Sequence, residues 1–141
     1  SSVGGAKQRR TLNMNAVPYQ YVRAEQIEGV LVVTITVDQI RDATRGYTIR
    51  DEILAAIETH QANDLVLDLG QLSFIGSIGF MAFLSVRRQL SAGRIILCKM
   101  SGPVRDLFAI CHLIATDPAK KAPFEVAETV AAAVESVAKG G

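Results

Sequence analysis

Three short apolar runs, VLVVTIT (30–36), LVLDL (65–69) and RIILCKM (94–100), recur along the chain with helix-length stretches between them. Their β-branched, near-continuous apolar character is that of strands buried on both faces. Strands of that kind alternate with helices that cover the sheet, and the crossovers make neighbouring strands parallel. This alternation fixes the fold class as α/β before any motif is considered.

The intervening segments support it. Tyr19–Arg23 precedes VLVVTIT, and Glu28-Gly29 between them reads as a hairpin turn, so the sheet opens with an antiparallel pair. Residues 47–60 read as a helix whose inner face carries Ile49, Ile53, Ala56 and Ile57, beginning between 44 and 48 with Thr48, Asp51 and Glu52 as its capping group. A second helix is predicted over 78–91, with Gly93 in the C′ position. Ser101-Gly102-Pro103 starts a third, in which Val104, Leu107, Phe108 and Cys111 share one face. A loop over 113–125 carries a short edge strand near Phe124. A last helix spans about 126–138, with Val126, Val130, Val134 and Val137 on one side. The expected architecture is a mixed, mainly parallel sheet of four or five strands with about four helices.

Charge narrows the function. The chain carries 15 basic and 14 acidic residues. Lys7, Arg9 and Arg10 are the only charges in residues 1–15, which leaves 12 basic against 14 acidic residues, a net −2, in residues 16–141. A nucleic-acid-binding domain would carry a basic stripe on its folded part, so nucleic acid is not the expected partner. Residues 1–15 read as a flexible basic tail dispensable for folding, and 16–141 as one domain. No apolar stretch reaches the roughly 18 residues of a membrane span, and the start lacks the apolar centre of a secretory signal. Cys98 and Cys111 have neither zinc spacing nor a disulfide framework around them, and read as buried core thiols of a cytoplasmic protein.

The densest signal for function is LVLDLGQLSFIGSIGFMAFL (65–84), where an apolar strand passes through two glycines and a serine into an apolar helix. A hydrolase elbow needs Gly-x-Ser-x-Gly, and Ile75 stands at its first position. The only histidines are His60, near a helix C-terminus, and His112, at the end of the third helix; both read as structural or solvated. A phosphate loop needs Lys-Ser/Thr after its second glycine, and Phe80-Met81 stands there. Asp38, Asp42, Asp51 and Glu52 match no metal loop and read as caps and solvated charges. Arg87 and Arg88 read as solvent-facing. No catalytic set, cofactor site or metal site emerges, and the expectation is a protein without enzymatic activity.

Residues 17–138 resemble the STAS domain, the fold shared by anti-sigma-factor antagonists and the cytoplasmic tails of sulfate transporters. The resemblance is carried by the junction above, by DQIRDATRGYTIRDEILAAI (38–57) and by RIILCKMSGPVRDLFAICHL (94–113). The family's junction runs Asp-Ser-Ser-Gly or Asp-Ser/Thr-Ala-Gly. With Gly79 on the family's glycine, Ser77 falls on the first serine, Gly76 on the aspartate, and Ile78 on the serine that antagonists phosphorylate. The resemblance implies a STAS-like fold and a regulatory, protein-binding role. Its partner would be an anti-sigma factor or a serine kinase-like protein. The docking residues are Ser73, Gly76, Ser77, Ile78, Gly79 and Met81, within a surface over 73–88. Ile78 has no hydroxyl, so it is expected to mimic a permanently unphosphorylated, binding-competent state. Ser77 is the remaining candidate phosphorylation site, or else the cap of the second helix. The alternative is an accessory STAS subunit of a stressosome-like or transporter assembly, and a small-ligand sensor is a third reading.

Overall fold

A computed structural model describes residues 19–115 and 122–139; the predicted tail over 1–15 and the middle of the 113–125 loop lie outside them. Strands β1 (Val22–Ile27) and β2 (Val30–Ile35) form the antiparallel entry hairpin. Its turn is Glu28-Gly29, both with positive φ (50° and 78°), as a two-residue hairpin turn requires. The first strand therefore starts at Val22, later than the sequence pattern suggests. The residues before it are held elsewhere: the Gln20 and Tyr21 amides donate to the Glu52 carboxylate at 2.6 and 2.8 Å.

β3 (Gln39–Ile40) leads into α1 (Ala43–His60), and β4 (Leu65–Asp68) into β5 (Phe74–Ile75) and α2 (Ser77–Gln89). β6 (Ile95–Cys98), α3 (Gly102–Ile110), β7 (Glu125–Ala127) and α4 (Val130–Ala138) complete the chain. The main sheet has five strands in the order β1-β2-β4-β6-β7, all parallel except β1. β3 and β5 form a separate parallel pair.

The central strands send alternate residues to two faces. Leu31, Val33, Ile35, Leu65, Leu67, Ile95 and Leu97 face the larger core under α1, α2 and α3. Phe108 of α3 is its aromatic hub, with ring centroids 4.9 Å from Phe80, 6.0 Å from Phe83 and 6.2 Å from Phe124. Val30, Val32, Val66, Ile96 and Cys98 face the other way and meet Ala133 and Val134 of α4.

The helix ends correct several expectations. α1 is capped by Asp42, which accepts from the Arg45 amide at 3.1 Å, while Thr48 lies inside the helix and donates to the Thr44 carbonyl. α2 stops at Gln89, and Gly93 is not its left-handed cap. A Cβ at Gly93 would sit 1.7 Å from the Asn63 carbonyl oxygen, so this glycine is required by close backbone approach. α3 begins with Ser101 capping Val104 and Pro103 in its first turn. It ends before Cys111, which is exposed rather than buried because His112 turns the chain away at φ 60°. Val126 belongs to β7, and α4 starts after Thr129, which accepts from the Ala132 amide. Arg87 is half-buried, not solvent-facing: its guanidinium donates to the carbonyls of Leu90, Gly93 and Pro123 and ties the end of α2 to the segment before β7.

Candidate functional site

The strand-to-helix turn at 73–79 is held from behind by the segment before α1. Ser73 donates through both its amide (2.7 Å) and its hydroxyl (3.0 Å) to the Asp38 carbonyl. The Phe74 amide donates to the same oxygen at 3.2 Å, and the Gly76 amide to the Ile40 carbonyl at 2.9 Å. Arg41 lies over the Phe74 ring at 4.2 Å, and Arg45 donates to the Gln39 carbonyl at 3.1 Å. The short β3–β5 pair thus fixes the first turns of α1 and α2 to one another.

Gly76, not Ser77, is the N-cap of α2, with extended dihedrals and no side-chain capping bond. Ser77 therefore occupies the first helical position with its side chain exposed, and the reading of it as the helix cap is corrected. Gly79 is buried, and a Cβ there would meet Ile75 Cγ1 at 2.5 Å and Ile40 Cγ2 at 3.1 Å. Its absent side chain lets α2 lie directly on the β3–β5 pair.

Ile78 points sideways toward α1 and is half-buried there; a Cβ at Gly46 would come within 2.9 Å of its Cγ2. Met81, one turn beyond Ser77, is 58% exposed. Next to Gly46 on α1, Tyr47 is 48% exposed, with the Arg50 guanidinium 5.0 Å from its ring centroid. Of the six residues expected to dock a partner, Ser73, Ser77 and Met81 present outer surface, Gly76 and Ile78 are partly covered, and Gly79 is internal. Tyr47 and Arg41, which border this turn, were not singled out from the sequence. A helical glycine at 46 followed by an aromatic was the available sign of close packing beside an exposed ring.

Several ionisable groups have partners within the fold. Asp42 caps α1, Asp51 pairs with Arg50 at 2.9 Å, and Glu52 takes the Gln20 and Tyr21 amides. His60 Nδ1 lies 2.9 Å from the Ala56 carbonyl oxygen in the last turn of α1. Burial pushes the Cys98 thiol up to about 11. Arg94 forks onto Glu125 (2.9 and 2.7 Å) and also reaches the Ser136 hydroxyl and carbonyl, and its hydrogen bond holds the Glu125 carboxyl below the usual carboxylate range. No helix among the described residues is long and apolar enough to cross a membrane.

Comparison with known proteins places this arrangement in a wider group. BtrV of Bordetella bronchiseptica, named as an anti-sigma factor antagonist, is 27% identical over 96 residues, which covers 67% of this chain and 80% of BtrV. Among solved structures, an anti-sigma factor antagonist from Mycobacterium paratuberculosis superposes with a TM-score of 0.67 at 22% identity, covering 86% of this chain and 97% of that one. The Bacillus antagonist SpoIIAA superposes at 0.58 in its unphosphorylated form, at 24% identity and covering 82% of this chain and 96% of its own. At these identities the superpositions establish the fold. The STAS domain family model matches residues 21–133, and the chain belongs to the STAS domain family.

Proposed function

We propose that the protein is a non-enzymatic regulator that docks an anti-sigma factor or a serine kinase-like partner through the first turns of α2 and the neighbouring face of α1. The observation that carries this reading is Met81, a large apolar side chain 58% exposed one helical turn from the exposed Ser77. An apolar side chain held in water on a fixed turn gains free energy when a partner covers it. The similarity to BtrV, named as an antagonist of an anti-sigma factor, supports the choice of partner. Among the described residues no group of three or more His, Cys, Asp or Glu side chains could hold a metal ion, and His60 lies against the Ala56 carbonyl oxygen at the far end of α1.

Ile78 gives a second reading its footing. The resemblance puts it on the family's phosphorylated serine, where an isoleucine has no hydroxyl to carry a phosphate, and it packs on Gly46. A constitutive surface of this kind also suits an accessory subunit of a stressosome-like or transporter assembly.

The test is capture of the partner from the native cell, followed by affinity measurement with wild-type protein and Met81→Asp. A charge in the docked interface should weaken the complex about tenfold or more, equivalent to about 1.4 kcal/mol, with the melting temperature unchanged. A captured anti-sigma factor or kinase supports the first reading, and a transporter or stressosome subunit the second. Unchanged affinity for Met81→Asp moves the docking surface elsewhere.

A further inference from the structure

The outer edge of the main sheet is β1, and among the described residues no strand lies beyond it. Its backbone polarity follows from the hairpin register. Tyr21 lies opposite Thr36, and its carbonyl accepts the Thr36 amide at 2.9 Å, so the odd-numbered residues of β1 direct their N–H and C=O groups toward β2. Val22, Ala24 and Gln26 then direct theirs outward, because hydrogen-bonded and non-hydrogen-bonded pairs alternate along an antiparallel ladder.

We propose that this edge pairs with β1 of a second copy of the same chain, antiparallel about a twofold axis at Ala24, joining two five-stranded sheets into one. The charge order along the strand is what selects this occupant and this register. A twofold axis at residue 24 places Arg23 opposite Glu25 of the second copy and Glu25 opposite its Arg23. Both side chains are exposed in the single chain. They fall on non-hydrogen-bonded pairs, where Cα atoms approach to about 4.5 Å and side chains are closest. Ala24 at the axis exchanges both outward hydrogen bonds with its symmetry mate, and Val22 does the same with Gln26.

The other registers lose this match. An axis at residue 23 sets Arg23 against Arg23, and one at residue 25 sets Glu25 against Glu25. Axes at 22 or 26 leave these charges opposite uncharged residues. Charges on an edge strand ordinarily deter pairing with any other chain. Here the sign changes across the only small residue of the strand, so the pattern repels most strands while being complementary to itself. An isologous contact needs that self-complementarity.

Sedimentation equilibrium of the full chain tests the proposal. The wild type should dimerise with a Kd below about 1 mM. Arg23→Glu and Glu25→Arg should each be weakened about tenfold or more, since every opposite-charge pair becomes a like-charge pair. The double swap R23E/E25R should recover the wild-type constant. An equimolar mixture of the two single variants should form a heterodimer that neither forms alone. Circular dichroism melts verify that each variant is folded, as expected for exposed positions. A wild type that stays monomeric over the whole range overturns the proposal, as does a dimer whose constant is indifferent to the single swaps.

Discussion

Gly46 of α1 and Ile78 of α2 meet so closely that the glycine's missing Cβ would sit 2.9 Å from the isoleucine's Cγ2. Ile78 is thus a spacer between the two helices that frame the strand-to-helix turn.

This contact makes the effect of one substitution depend on the other. Gly46→Ala should gain up to about 1 kcal/mol of helix propensity but lose more to overpacking against the β-branched Ile78, for a net destabilisation of about 1 kcal/mol. In an Ile78→Ala background the clash is gone, and Gly46→Ala should stabilise. Urea unfolding of the four proteins measures the cycle; the same sign in both backgrounds would rule out the spacer role.

Ile78→Asp should lower stability as well as binding, because the carboxylate enters the half-buried contact with Gly46. Met81→Asp should affect binding alone. A melting temperature for Ile78→Asp equal to wild type would place its side chain in solvent and return it to the docking surface proper.

Ser77→Asp separates folding from docking by sign. An acid in the first turn of α2 interacts favourably with the helix N-terminus, worth about 0.3–1 kcal/mol at an exposed position. The variant should therefore melt at or slightly above wild type while binding its partner less tightly. Lower stability would show that the Ser77 hydroxyl has a role in the native structure that carboxylate cannot replace.

The two cysteines should differ sharply in reactivity. Cys111 is exposed and Cys98 is buried, so a thiol reagent should modify one equivalent rapidly in native buffer and the second only on unfolding. Burial raises the Cys98 thiol from 9.0 to about 11, so the folded state holds its proton more tightly than the unfolded chain. Its contribution is fully present below about pH 9 and is lost as pH rises toward 11, by about 2 kcal/mol. Cys98→Ala should flatten that part of the alkaline limb. Rapid modification of two native thiols would contradict the placement of Cys98.

At the acid end, Glu125 runs the other way. Its hydrogen bond from Arg94 lowers the carboxyl, so the pair stabilises above the unfolded carboxylate range and that contribution fades as pH falls through the depressed value. Glu125 is partly exposed, so the effect is small and weakened by salt. Glu125→Gln should reduce the loss of stability between neutral and acid pH, followed by thermal melts at low ionic strength.

What could be read from the sequence divides along physical lines. β2, β4 and β6 were legible because strands buried on both faces must be apolar throughout, and α3 because Ser101, Pro103 and the Val104–Phe108 spacing are all local signals. β3 and β5 were not legible, since two residues each carry no period and their pairing joins segments 35 positions apart. The start of α1 was misplaced because Asp42 and Thr48 are both plausible caps, and only the chain's path chooses between them. Of the residues named from the junction pattern, Ser73, Ser77 and Met81 lie on the outer surface. The inward turn of Ile78 was not legible, because it depends on a glycine 32 residues earlier in the chain.

The β3–β5 pair has a consequence for kinetics. A turn of glycine and serine left free in solution would have to be ordered on binding, at about 1–2 kcal/mol of backbone entropy per residue. Here the amides of Ser73, Phe74 and Gly76 already bond to the Asp38 and Ile40 carbonyls. If the proposed partner docks at this turn, it should meet a surface already ordered, with encounter limited by diffusion and orientation rather than by a conformational step on this side. Any slow phase in assembly would then belong to the partner.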